Sequence, residues 1–232
     1  MTLKRIPEIL CIVVLLNVFQ TKIASGETLQ IDFGDYNHSW AFGFADYPPD
    51  ENVDWTLLSG TGPLPSELSL GKAGAFLSGN NRSDDMFMFL KRRFQGFDPG
   101  QTYSLRFSLS IGSNADTCVG VGGSSGKGVF LKAGASEVEP VAEASESGWL
   151  RMNIDKGNQA QGGRNSIVVG DIAVTDVCSN NIYKYKYFKN NNKLIVTADR
   201  SGAFWIFFGT DSGFEGITTI YYINAKINIK KM

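Results

Sequence analysis

Histidine is almost missing from this chain: His38 stands alone. Acid–base catalysis through an imidazole would have to rest on that one residue. Cysteine is nearly as scarce, with only Cys11, Cys118 and Cys178. With so few nitrogen and sulfur ligands, a zinc site of the usual type cannot be assembled. No charge of either sign is in surplus, since 22 basic side chains face 23 acidic ones. That balance makes phosphate backbones and anionic lipid poor partners, so neither nucleic acid nor a membrane surface is expected. Helical periodicity is also hard to find beyond residue 26.

What the amino terminus does have is Lys4 and Arg5, then an apolar run from Ile9 to Phe19 broken by Asn17. The small residues Ala24, Ser25 and Gly26 follow. A basic start, a short apolar stretch and a small-residue exit describe a secretory signal peptide. The run is well short of the ~18–20 residues that span a bilayer. Residues 1–25 are therefore read as a signal and 26–232 as a single domain, with no integral membrane span left in the mature chain. Cys11 is no lipoprotein anchor, because Glu8-Ile9-Leu10 before it lacks the leucine three places upstream and the small residues of a lipobox. Removing the signal takes Lys4, Arg5 and Lys22 from the basic side and Glu8 from the acidic side, leaving a net charge of −3. The expected location is secreted, periplasmic or otherwise extracytoplasmic. In an oxidising compartment the two remaining cysteines, Cys118 and Cys178, are read as one disulfide. Two free buried thiols are the alternative.

The mature sequence is built from short apolar runs separated by Gly, Asn, Asp and Pro, the pattern of strands. Trp40-Ala41-Phe42-Gly43-Phe44-Ala45 sets three aromatics on one face and small residues on the other, so something can lie close on the small side. Tyr103, Leu105, Phe107 and Leu109 alternate with Ser104, Arg106, Ser108 and Ser110. Tyr183-Lys184-Tyr185-Lys186-Tyr187 alternates too, with the lysines expected toward solvent. Met86 to Leu90 and Phe204 to Phe208 are apolar throughout, as expected of strands covered on both faces. One set from the second run should face an inter-sheet core, and the other a covering loop or an aromatic floor. Turn signals at Asp98-Pro99-Gly100, Asn190-Asn191-Asn192 and Asp199 to Gly202 punctuate the runs. About a dozen such strands predict an all-β fold, a two-sheet antiparallel β-sandwich of jelly-roll type.

Phe97-Asp98-Pro99-Gly100-Gln101-Thr102-Tyr103, leading into an alternating strand, resembles the entry to a central strand of carbohydrate-binding-module-type jelly rolls. Thr218 to Asn224 is similar to their last strand. Residues 78–110 and 150–216 also resemble bacterial secreted β-sandwich proteins. The resemblance implies a sandwich fold and a glycan ligand. It also brings a structural calcium held partly by an Asp of that last strand, but Ile223 occupies the position here. No cofactor is expected.

Several motifs fail on context. Gly122-Gly123-Ser124-Ser125-Gly126 fits the G-x-S-x-G pattern, but that elbow needs a helix after the serine and a histidine further on. Thr210-Asp211-Ser212-Gly213 lacks the flanking glycines of the serine-protease motif, and Gly120 to Gly128 lacks the first glycine and the hydroxyl residue of a P-loop. Asn37-His38-Ser39 and Asn81-Arg82-Ser83 match the N-glycosylation pattern, which carries no meaning in a bacterium.

Three loops remain, dense in hydrogen-bonding groups: 78–85, 153–163 and 209–216. Their candidate ligand-binding residues are Asn81, Arg82, Asp84, Asp85, Asp155, Lys156, Asn158, Gln159, Asp211 and Glu215. Planar amides, carboxylates and guanidinium groups beside aromatics read sugar hydroxyls. Surface loops of any sandwich are also rich in such residues, so capping and turn roles stand beside binding. The leading reading is a secreted, non-catalytic protein that binds a glycan or another polar small ligand. One alternative is a jelly-roll glycoside hydrolase or lyase, with acids drawn from Asp155, Asp211 and Glu215. The other is a structural or surface-interaction protein. Convergence of the three loops on one concavity favours binding; placement at opposite ends opposes it.

Overall fold

The computed structural model describes residues 27–37, 40–68, 71–179 and 181–232. The expected signal peptide with Cys11, and His38, lie outside the described residues. The first strands are β1 (Thr28–Asp32), β2 (Ala41–Ala45), β3 (Leu58–Pro63), β4 (Ala73–Asn80), β5 (Met86–Gln95) and β6 (Thr102–Ser113). Next come β7 (Val119–Gly120), β8 (Gly123–Ser124), β9 (Val129–Ser136), β10 (Ala142–Ala144), β11 (Leu150–Met152) and β12 (Ser166–Asp171). The last are β13 (Lys184–Lys189), β14 (Leu194–Thr197), β15 (Ala203–Ser212) and β16 (Ile217–Lys231). One sheet has seven strands in the order β13-β6-β16-β4-β3, with β1 adding to β16 and β14 to β6. The second has five, β12-β9-β15-β5-β2. Their pairings are antiparallel, and the chain crosses repeatedly between the sheets, which gives the expected jelly-roll type of sandwich.

The alternating strands supply the core between the sheets. Phe33 packs at 5.0 Å from Trp40 and 5.4 Å from Phe208, and Phe107 meets Phe208 at 6.0 Å. Phe204, Ile206 and Phe208 of β15 belong to this core, while Phe207 points the other way. There it joins Ala45, Phe87, Phe89 and Ile154 in a second apolar layer beneath Ala142 and Met152. The hairpin of β10 and β11 therefore covers the outer face of the five-stranded sheet, and the fully apolar runs 86–90 and 204–208 are explained. Close approach also explains the small face of β2. A side chain at Gly43 would meet the Phe89 ring at 2.3 Å, and one at Gly134 would meet Phe207 at 2.0 Å.

Within β13 Lys184 is exposed as expected, but Lys186 and the tyrosines depart from the expected sense. Tyr185 and Tyr187 are 50% and 65% exposed, whereas the Lys186 ammonium bonds Asp171 and the carbonyl of Ala173 at 2.8 Å. The reason is Phe188, one residue beyond the alternating run, which is buried and turns its neighbour in parity, Lys186, inward. Elsewhere the expected turns form. Asp199 accepts from the Ser201 hydroxyl and from the backbone N–H groups of Ser201 and Ala203, and pairs with Arg93. Burial works to raise its pKa, but these donors outweigh it and hold the carboxyl at about 2. A carboxylate with a depressed folded pKa contributes stability above its unfolded value of 3.8, lost as pH falls toward 2. Asp199→Asn should therefore be less stable than the parent near neutrality, with the gap closing between pH 4 and 2. Denaturant titrations at stepped pH check this.

Cys118 and Cys178 form the expected disulfide, with Cα atoms 5.7 Å apart. Asp116 reinforces the crossing, accepting from the backbone of Cys118 at 3.0 Å and of Ser179 at 2.9 Å.

Candidate functional site

The three polar loops meet. Asp211, near the end of β15, emerges on the outer face of the five-stranded sheet beside Lys132 of β9. The Lys132 ammonium reaches Asp211 Oδ2 at 2.9 Å and also donates to the carbonyls of Lys156 and Gln161 at 2.8 Å. Segment 153–163 lies over this pair. From it the Lys156 ammonium bonds the same Asp211 oxygen at 2.8 Å, and the Gln159 backbone N–H donates to it at 2.8 Å. Gln159 then reaches across with Nε2 to the carbonyl of Asp84 at 3.0 Å. Asn81 closes the ring, its amide donating to the carbonyls of Ser212 and Phe214 at 2.8 and 2.9 Å. Each of the three loops thus holds the other two.

Four charges are sealed inside. Lys132 and Asp211 are 0% exposed, and Lys156 and Asp46 are buried beside them. Lys156 sits 3.0 Å from Asp46, so two lysines meet two carboxylates. Burial lowers the Lys132 pKa against the pull of Asp211. Burial also works to lower Lys156, but Asp211 and Asp46 together outweigh it and hold that ammonium above its usual range. At the rim, Arg151 joins Asp85 at 2.7 Å and Asp46 at 3.4 Å, and stacks on Trp149 at 4.2 Å. Burial raises the Asp85 pKa; the Arg151 hydrogen bond opposes this and the negative charge of Asp46 adds to it.

The backbone is strained at the same place. Five described non-glycine residues have positive φ, and Asp46 (60°), Asp84 (56°) and Gln159 (45°) are three of them. Such conformations cost free energy and persist where surrounding contacts dictate them, a feature that gathers at ligand sites. Over this frame lies a shallow depression of about 270 Å³, bordered by Asp46, Asp85, Arg151, Met152, Ile154 and Asn158.

The expected residues divide by role. Asn81, Lys156, Gln159 and Asp211 are occupied with one another, and Asp84 contributes its carbonyl. Asp155 holds its own loop, accepting from the backbone N–H groups of Arg164 and Gly157, which keep its pKa low. Arg82, Asn158 and Glu215 are exposed, and their side chains bond to no other group among the described residues, so they are free to meet a ligand. Asn81 is buried and bonded, which leaves no room for a glycan on its amide. Sequence reasoning missed Lys132, Asp46 and Arg151. The first leaves a signal, a lysine inside the otherwise apolar and small-residue run Val129 to Ala135. The other two pair with residues far away in sequence.

The chain matches no family model and no curated protein. Among solved structures it is similar to the xylan-binding domain CBM22-1 of Paenibacillus barcinonensis, at 10% identity over 90% of this chain and 99% of that one, with a TM-score of 0.40. It is similar to a mannan-recognising carbohydrate-binding module at 13% identity, over 89% and 99%, with a TM-score of 0.39. A bacteriophage CBA120 tailspike protein matches over 83% of this chain, which spans 19% of the tailspike, at 12% identity and a TM-score of 0.32. At such scores these likenesses say nothing about a ligand.

Proposed function

We propose that this protein is a non-catalytic binding protein whose three-loop end takes a glycan, on the extracytoplasmic side of the cell. The observation that carries the reading is the division of labour at that end. A buried ion network fixes three loops, two of them strained at Asp84 and Gln159, while Arg82, Asn158 and Glu215 of those loops keep their side chains free. A rigid frame that leaves planar hydrogen-bonding groups unused suits recognition of hydroxyl pairs. The depression is open and shallow, which fits a chain of sugars lying across it better than an enclosed apolar ligand.

The carboxylate-pair alternative now has specific candidates, because Asp46 and Asp85 share one nitrogen of Arg151. Glycosidases keep their two acids roughly 5–10 Å apart with space between them for substrate or water. Here the guanidinium stands between the acids, and Asp46 also faces the Lys156 ammonium. That arrangement favours binding over hydrolysis.

A screen of purified protein against neutral and acidic polysaccharides tests the reading. At least one class should be retained, and Arg82→Ala with Asn158→Ala should weaken it at least tenfold without changing the thermal midpoint. Silence across the panel, or cleavage of a bound polysaccharide, counts against it.

A further inference from the structure

The outer face of the seven-stranded sheet carries a second feature, independent of the loops. Opposed residues of an antiparallel pair point to one face, so its occupants follow from the register. Lys189 of β13, Ser108 of β6 and Lys226 of β16 lie in one row. Arg106 and Asn228 form the next with Thr28, and Ser104 and Lys230 the one after with Ile195. Lys193, just before β14, joins Ser104, Arg106, Asn228 and Lys230 around a cavity of about 620 Å³ at the end of the sheet. In the other direction the same face becomes aromatic. Tyr185, Gly112, Tyr221 and Phe76 make a row across four strands, and Tyr183 packs edge-on against Tyr221 at 5.3 Å.

Arg106, Lys189, Lys193, Lys226 and Lys230 are exposed, and none is paired with a carboxylate among the described residues. On the outward positions of β1, β6, β13, β14 and β16 the one acid is Asp32, and its Oδ1 accepts from the backbone of Gly34. Five cations thus share one face of a chain whose formal net charge is −1. Like charges on neighbouring strands repel and cost stability, so this segregation is unfavourable unless an anion offsets it.

We propose that this face binds an acidic polysaccharide, a polymer of uronate or sulfated sugars. The cations would meet its carboxylates or sulfates. The exposed amides set among them (Asn224, Asn228 and Gln30) would meet its hydroxyls, and exposed Tyr185 and Tyr187 would give it flat stacking surfaces. Single-stranded nucleic acid fits less well, because it asks for aromatics interleaved with the cations. Here the two are segregated to opposite ends. A lipid surface asks for a row of apolar side chains to insert, and beside the cations the described residues offer two separate ones, Ile195 and Met232.

The test is affinity electrophoresis and titration with polygalacturonate and chondroitin sulfate, against a neutral glucan, an oligothymidylate and phosphatidylserine vesicles. At least one acidic polysaccharide should bind, tenfold or more weakly at 500 than at 50 mM salt, where screening is stronger. The Arg106→Ala, Lys226→Ala, Lys230→Ala variant should lose at least tenfold in affinity while keeping its thermal midpoint. Lys226→Arg with Lys230→Arg should retain binding, and so should Arg200→Ala, which removes an exposed charge in the turn after β14. Binding of the neutral glucan that equals that of the acidic polymers and is lost in the same triple variant overturns the acidic assignment, and tighter binding of oligothymidylate or vesicles overturns the glycan assignment. No binding of either acidic polymer overturns the proposal outright. The loop reading is scored separately, by Arg82→Ala with Asn158→Ala.

Discussion

Replacing Asp211 with alanine should destabilise the protein by roughly 3–5 kcal/mol, the range for removing one partner of a buried ion pair. The ground for this is local. Asp211 Oδ2 accepts from Lys132, Lys156 and the Gln159 backbone, and among the described residues Lys132 forms an ion pair with no other carboxylate. Without Asp211, one fully buried ammonium must be carried unpaired or give up its proton. Domains of this size hold a net stability of only about 5–15 kcal/mol, so the variant will fold marginally or fail to accumulate. Asp211→Asn keeps the shape and an acceptor but not the charge, and should fall between the two. Urea denaturation of the three proteins, read by tryptophan fluorescence, measures the series. A loss below about 1 kcal/mol for alanine would mean that the network contributes little to holding the loops.

Loss of the disulfide should be comparably large for a different reason. Cys118 and Cys178 are 60 residues apart, and closing such a loop removes unfolded-state entropy worth about 4 kcal/mol in the chain-entropy model. The native crossing keeps other supports. Asp116 staples both segments, and the Thr117 backbone donates to the carbonyl of Thr175. Cys118→Ser with Cys178→Ser should therefore leave the folded structure intact, lower the midpoint, and raise the denaturant slope slightly because the unfolded chain expands further. A changed native spectrum would place the effect in the folded state instead.

Much of this architecture is legible in the amino-acid order. Apolar residues at every position of Met86 to Leu90 betray a strand covered twice, and the covering hairpin is where the second layer needs it. The three loops are visible because Asn, Asp, Gln and Gly crowd there beside apolar strands. What stays hidden depends on pairing at long range. Asp46 meets Lys156, and Arg151 meets Asp85, across separations that no local pattern records. The parity of Tyr183 to Tyr187 reads wrongly because Phe188, one step further, decides which side is buried. The basic face is hidden as well. Its cations come from separate strands, and only the register of β6 with β13 and β16 brings Lys189, Arg106 and Lys226 together.

The most direct test of the central claim is amide hydrogen exchange with and without the glycan that the screen returns. The account predicts slowed exchange at 78–85, 153–163 and 209–216 together, because each loop holds the other two, and no such slowing in Arg82→Ala with Asn158→Ala. Protection confined elsewhere, or in one loop without the others, would contradict it.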